Sequence, residues 1–334
     1  MTKPSLSRRH FLQAAGVSAA TVWVPSSATG YTGTERASMA TAERIEVGVS
    51  KWELDTPALC VDLDALEANL AQMQRTVRTN GIASRPHAKT HKTPAIARMQ
   101  LESGSVGICV AKIGEGEALF EHGIEQILMT TSNVTPFKIQ RAMNLRKWCS
   151  GFIQATDTPA NARDLSEAAE AAGIVADVVV DVDPGGHRTG ITPGRPALEL
   201  AQLVDRLPGL RLRGMLCYDG GSQHVKGFGT RKAQTLERLA PAGETFEQMR
   251  RSGLSTEIFS GGGTGTYNID QETPGLTDVQ VGSYIFMDAQ YLTIGGAKDP
   301  DVYSDFQPSL TILTSVLNAQ YAGRVTTDAG AKAC

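Results

Sequence analysis

The sequence has no excess of charge of either sign. Lys+Arg total 32 and Asp+Glu 35, a formal net charge of −3. The two signs are interspersed, which leaves neither a basic footprint for nucleic acid nor a charged face for a membrane surface. Paired cysteines are also missing. Cys60, Cys109, Cys149, Cys217 and Cys334 include no C-x-x-C spacing and are odd in number, which argues against a disulfide framework or a zinc ribbon. Cys60, Cys109 and Cys217 sit in apolar runs and read as buried small hydrophobes. No apolar run forms a stable bilayer span, which takes about 20 residues. Internal repeats and low-complexity tracts are absent. What is there is an ordinary globular composition: 334 residues, 41% hydrophobic and 20% charged, with room for one large domain or one large and one small.

The N-terminus reads as an address. Ser7-Arg8-Arg9-His10-Phe11-Leu12-Gln13 form a twin-arginine pattern, a weakly apolar stretch runs from Phe11 to Val24, and Pro25-Ser26-Ser27-Ala28 supply small residues for cleavage. The expectation is a signal peptide with a spacer over 1–42, export of the folded chain, and a periplasmic location. The plain alternative is a chance Arg-Arg pair in a tail. No cysteine near the cleavage region suggests a lipid anchor. Export in the folded state suits a protein loaded with a prosthetic group beforehand.

From about residue 55 the pattern alternates. Apolar β-rich runs occur at Ala58–Leu63, Ala83–Lys89, Val106–Ala111, Gln126–Thr130, Gly151–Thr156, Ala176–Asp183, Leu212–Tyr218 and Glu257–Gly261. Segments with helical spacing lie between them, such as Leu63, Leu66, Leu70, Met73 and Val77, or Leu198, Leu200, Leu203 and Leu207. Thr93-Pro94 and Thr158-Pro159 place proline at a first helical position. Near-continuous apolar strands indicate a parallel sheet covered on both faces. Eight such units predict an α/β fold, a (β/α)8 TIM-type barrel. An open doubly wound sheet is the second choice.

In a barrel, chemistry collects where strands end. Arg85-Pro86-His87-Ala88-Lys89-Thr90-His91-Lys92 closes the second run, and period-2 alternation puts Arg85, His87 and Lys89 on one face. A desolvated lysine beside other cations has a lowered pKa and attacks carbonyls. His87 and His91 also read as metal ligands, though a lysine between them would compete with the cation. Asp181-Val182-Asp183-Pro184-Gly185-Gly186-His187-Arg188-Thr189-Gly190 offers Arg188 as a cationic fork for an oxyanion, or is a surface loop with a solvated arginine. The Gly-rich stretch Ser260-Gly261-Gly262-Gly263-Thr264-Gly265-Thr266-Tyr267 suits a phosphate cradle built of N–H groups, or a structural turn. No lysine follows its last glycine, so it is not a Walker motif. Tyr218-Asp219-Gly220-Gly221-Ser222-Gln223-His224 closes the seventh run, and Gly282 with Ser283 completes a possible cup. A lysine at the mouth, an arginine and a phosphate cup together suit pyridoxal 5′-phosphate.

These residues carry a resemblance. Thr56-Pro57-Ala58-Leu59, the Arg85–Lys92 motif, Asp183–Gly190, Gly261–Tyr267, Gly282-Ser283-Tyr284 and Thr327-Asp328-Ala329-Gly330 occur in family order across 55–334. The chain resembles the fold-type III pyridoxal-phosphate enzymes, with an alanine-racemase-like N-terminal barrel. Within them it resembles the D-threonine aldolase / D-serine dehydratase family. The resemblance implies that Lys89 is the catalytic Schiff-base lysine. It places Arg188 at the cofactor's phenolic oxygen, Tyr218 at the pyridine nitrogen, and Gly262, Gly263, Thr264, Gly265, Thr266, Gly282 and Ser283 at the phosphate.

By the same resemblance the substrate is a small-molecule β-hydroxy D-amino acid. It is cleaved between Cα and Cβ to glycine and an aldehyde, or dehydrated. An amino-acid racemase and a non-catalytic pyridoxal-phosphate carrier are the alternatives. The family uses a divalent metal, Mn or Zn, held by a His-x-Cys or His-x-Asp pair in a C-terminal β-domain, and its members pair as homodimers. This sequence reaches Asp328-Ala329-Gly330-Ala331-Lys332 and stops at Cys334. The expected layout is therefore a barrel over 43–290 and the start of a truncated C-terminal β-domain over 291–334, without metal ligands. Ser309–Val325 alternates like strands.

Overall fold

The computed structural model describes residues 50–332, and the twin-arginine pattern, its spacer and Cys334 lie outside the described residues. Leu66, Leu70, Met73 and Val77 form the buried stripe of α1 (Leu63–Thr79). It is followed by α2 (Pro94–Ser103), α3 (Ile113–Glu121), α4 (Pro136–Trp148), α5 (Pro159–Ala172), α6 (Arg195–Arg206) and α7 (Phe228–Arg251). Thr-Pro pairs open α2 and α5 as expected and open α4 as well. Proline at that position has no N–H to leave unpaired. The stripe of α6 is not the expected leucine row. Ala197, Leu200, Ala201 and Val204 are buried instead, with Leu198 and Leu203 half-buried. None of the described helices is long and apolar enough to cross a membrane.

The strands are β1 (Ala58–Val61), β2 (Ala83–Ser84), β3 (Ile108–Val110), β4 (Ile127–Met129), β5 (Phe152–Thr156), β6 (Ala176–Asp181), β7 (Leu210–Cys217), β8 (Ile258–Gly261), β9 (Asp278–Val279), β10 (Leu310–Leu313), β11 (Val316–Asn318) and β12 (Thr326–Thr327). Eight of them form one parallel sheet in the order β2-β9-β8-β7-β6-β5-β4-β3. Its two ends meet. Past β2 the chain stays extended, and His87 bridges Cys109 in parallel register. Val106 N–H donates to the Ser84 carbonyl (3.0 Å) and Cys109 N–H to that of Pro86 (2.8 Å). The sheet is thus the expected barrel and not the open alternative. Cys109, Leu128, Ile153, Ala155, Val179, Leu216 and Ile258 form a buried core cluster.

The strand count held at eight, but its members differ from expectation. Ala58–Leu63 was expected as the first barrel strand; its β part, β1, pairs antiparallel with β10 instead. The eighth barrel strand is β9, only two residues long and too short to leave a pattern. The glycine-rich loop therefore follows the seventh barrel strand, and Gly282-Ser283 follows the eighth. The second run is also shorter than expected: β2 ends at Ser84, and Lys89 lies in a single 3-10 turn, Ala88–Thr90.

The described residues fall into two units. Asn69–Phe306 holds the barrel. The residues before and after it form the other, in which β1 pairs β10 and β11 pairs β12, both antiparallel. Leu59, Ile312, Val316, Leu317, Tyr321 and Val325 are exposed there. Cys109 and Cys217 are buried as expected, whereas Cys60, on β1, is only half-buried.

Candidate active site

The lysine turn is set by two neutral histidines. His87 Nδ1 accepts the N–H of Lys89 (3.3 Å), so its ring proton sits on Nε2, facing Thr130 Oγ1 (3.3 Å). The Thr130 hydroxyl in turn donates to the Val110 carbonyl (3.2 Å). Burial, then the charges of Lys89, His91 and Arg188, hold His87 well below the usual imidazole range. His91 Nδ1 accepts from Thr93 N–H (3.0 Å), and its Nε2 lies 3.3 Å from Gln100 Oε1. Burial takes His91 down to about 4. Both Nδ1 lone pairs are occupied, which leaves the pair poorly disposed as metal ligands. Among the described residues, no group of three or more His, Cys, Asp or Glu is placed to hold a metal ion.

Lys89 opens onto a cavity of about 510 Å³ that is also lined by His87, Asp181, Arg188, Tyr218 and Gln280. Its Nζ lies 5.5 Å from the Tyr218 ring centre, and Arg188 Cζ lies 5.2 Å from the same ring. Burial of the amine, then the Arg188 charge, lowers the Lys89 pKa. Burial raises that of Tyr218, which remains a neutral phenol. Among the described residues, Lys89 Nζ, the Arg188 guanidinium and the Tyr218 hydroxyl have no hydrogen-bond partner.

The loop that presents Arg188 is wound around Asp183. Asp183 Oδ1 accepts the N–H groups of Gly185 (3.0 Å), Gly186 (2.8 Å) and His187 (3.1 Å). Gly190, at φ +97°, lies against the Asp183 backbone, where a Cβ would collide. Asp181 lies in the sixth apolar run, and the sequence pattern alone assigns it no role. It is 3% exposed, faces the cavity and has one carboxyl oxygen, Oδ2, without a partner. Thr130, Gln280 and Arg238 also line the cavity and were not anticipated. Thr130 and Gln280 directly follow strand ends that carry no motif, and Arg238 reaches the cavity from α7.

The Gly262–Thr266 loop and Gly282-Ser283 do not line that cavity, but they meet one another. Tyr284 N–H donates to Thr264 Oγ1 (3.0 Å), and a Cβ on Gly282 would stand 2.6 Å from Thr90 Oγ1, one residue past Lys89. The loop has a committed side and an open side. Gly265 N–H donates to Gln223 Oε1 (2.9 Å), and the Thr266 hydroxyl donates to Asp270 Oδ2 (2.6 Å). The N–H groups of Thr264, Gly282 and Ser283 have no acceptor among the described residues.

Comparison with known proteins identifies the family. The family model described as "Alanine racemase, N-terminal domain" matches residues 61–290. The chain is 35% identical to the 3-hydroxy-D-aspartate aldolase of Paracoccus denitrificans (strain Pd 1222) over 288 residues, 86% of this chain and 74% of that protein. It is 36% identical to the D-threonine aldolase of Arthrobacter sp. over 282 residues, 84% and 72% of the two chains. The solved D-threonine aldolase of Filomicrobium marinum superposes with a TM-score of 0.78 at 36% identity, covering 83% of this chain and 73% of that one. The chain belongs to the alanine racemase N-terminal domain family of fold-type III pyridoxal-phosphate proteins, on the branch that includes these aldolases.

Proposed function

We propose that the chain is a pyridoxal-phosphate-dependent lyase acting on β-hydroxy D-amino acids. One observation carries this reading: Lys89 Nζ, the Arg188 guanidinium and the Tyr218 hydroxyl share one cavity and none is bonded to protein. The activities that the relatives' names give, aldolases of D-threonine and 3-hydroxy-D-aspartate and a dehydratase of D-threo-3-hydroxyaspartate, fall in that class.

The residues fit the cofactor. They provide an amine for its carbonyl, a cation for its phenolic oxygen, a neutral phenol for its ring nitrogen and three open N–H groups for its phosphate. When bound, pyridoxal phosphate supplies an electron sink for bonds broken at the substrate Cα. Lys89, with its pKa lowered, offers an amine that gives up its proton more readily than a free lysine, first as nucleophile and afterwards as a base that holds a proton on Nζ. Arg188 directs a planar fork at an oxyanion. Thr264, Gly282 and Ser283 present backbone N–H groups to an anion. The divalent metal implied by the resemblance finds no ligand set among the described residues.

The test is direct. Purified protein mixed with pyridoxal phosphate develops the visible absorbance of a lysine-bound cofactor, and Lys89→Ala does not. No absorbance in the wild type overturns the reading. Turnover of a 3-hydroxy D-amino acid then yields glycine and an aldehyde, or a 2-oxo acid and ammonia; racemisation without either pair of products points to a racemase. Two further parts of the proposal rest on sequence and resemblance. The chain acts as a homodimer, which a sedimentation mass equal to one chain refutes. It is exported to the periplasm, which a reporter fused after Ala42 and retained in the cytoplasm refutes.

A further inference from the structure

Gln223 lies in the turn after β7 and is 2% exposed. Its Nε2 donates to the Asp219 carbonyl (3.1 Å) and to Thr266 Oγ1 (2.9 Å), and its Oε1 accepts the N–H of Gly265 (2.9 Å). The Thr266 hydroxyl passes the chain on to Asp270, which is 1% exposed. Arg231, fully buried, donates from Nε to the Gly265 carbonyl (2.8 Å). A Cβ on Gly263 would run into the Gln223 amide, and one on Gly265 into the Gln223 carbonyl. Gly263 makes room for the Gln223 side chain and Gly265 for its backbone, and the side chain takes up the rear of the loop.

We infer that Gln223 is a positioning residue for the cofactor's phosphate, holding the Gly263–Thr266 loop so that Thr264 N–H stays turned outward. It also ties that loop to the turn that begins at Tyr218, through the Asp219 carbonyl. The inference rests on the loop being the phosphate site. Its physical basis is preorganisation. A loop fixed by buried hydrogen bonds is ordered when the protein folds, so the ligand does not have to order it on binding. The effect falls mainly on the phosphate, because Gln223 bonds to none of the Lys89, Arg188 and Tyr218 side chains.

The experiment compares dissociation constants for pyridoxal phosphate and for pyridoxal, which lacks the phosphate, read from visible absorbance. The proteins are wild type, Gln223→Met, Gln223→Glu and Gly282→Ala. Gln223→Met is expected to weaken pyridoxal phosphate about tenfold or more and pyridoxal by less than about twofold. Gln223→Glu keeps the acceptor for Gly265 N–H and falls between, and it decides the matter if Gln223→Met does not fold. Equal losses for both ligands, or no loss, in the Gln223 variants overturn the inference when Gly282→Ala still weakens pyridoxal phosphate selectively. If Gly282→Ala also leaves the ratio unchanged, the phosphate reading of the loop falls, and the inference falls with it.

Discussion

Asp177 and Asp181 lie four residues apart on β6, and the surrounding chain treats them differently. Asp177 is 2% exposed and sits against Arg146 (3.4 Å), Arg211 (2.6 Å) and Arg213 (2.7 Å). Asp181 has no such partners. Burial raises its carboxyl to about 7; Thr189 and Arg188 oppose the rise, and Asp157 and Asp183 add to it. Between about pH 4 and 7 the folded chain therefore holds a proton at Asp181 that the unfolded chain has released. The stability contributed by this group is complete below pH 4 and is lost as pH rises toward 7. Asp181→Asn should remove that loss. Without cofactor, the variant is expected to gain on wild type by about 4 kcal/mol across this window, read as the difference in denaturant midpoints at pH 4 and pH 7.5. A constant difference at both pH values refutes the assignment. The sequence could not separate the two acids, because both sit in one apolar run and the arginines come from other elements. Lys89 was legible for the opposite reason: a lysine at a strand end of an apolar barrel is an anomaly without any partner in view.

At the scale of elements, the fully buried β6 was easy to read and β9 was not. Six buried residues from Ala176 to Asp181, centred on Val178, Val179 and Val180, give the near-continuous apolar signature of a parallel strand. Two residues, Asp278 and Val279, give none, so Ala58–Leu63 filled the vacant place in the count. Register hides in the same way. β7 carries a bulge: Val178 pairs with Leu212 but Val179 with Gly214, which leaves Arg213 over. The chain recovers at Gly214, with φ +128° and its α-carbon pressed against the backbone of Ile258 on β8. A side chain there is strained in conformation and collides with the Ile258 carbonyl. Gly214→Ala should cost about 1–3 kcal/mol from the backbone conformation alone. At roughly 2–4 °C per kcal/mol for a unit of this size, the melting midpoint should fall by several degrees. An unchanged midpoint would show that the bulge relaxes freely.

For the barrel as a whole, the essential act is closure, and the strip Ala83–His87 performs it. On one side Ala83, Arg85 and His87 donate N–H to the carbonyls of Thr277, Val279 and Val281, each at 2.9 Å. On the other, the carbonyls of Ser84 and Pro86 accept from Val106 and Cys109. Lys89 hangs from the end of this strip, so closure fixes the lysine against residues 188, 218 and 282, which are far away in sequence. Arg85 was expected to share the lysine's face. It is instead locked in a two-pronged pair with Asp278, Nε to Oδ1 at 3.1 Å and Nη2 to Oδ2 at 3.2 Å. Burial works against the guanidinium charge, and Asp278 more than offsets it. The partners are 193 residues apart, a separation that no local pattern reports. Arg85→Met leaves Asp278 buried without its counter-charge and should cost about 3–5 kcal/mol. Arg85→Met with Asp278→Leu removes both charges and should recover most of that loss, because a buried pair contributes little net energy over apolar residues of similar volume. Chemical denaturation of the single and double variants measures the coupling. A double variant as unstable as the single one would mean that the pair does more than hold neighbouring strands. The bidentate geometry would then be a requirement of closure itself, and the Lys89 absorbance should be lost in both variants.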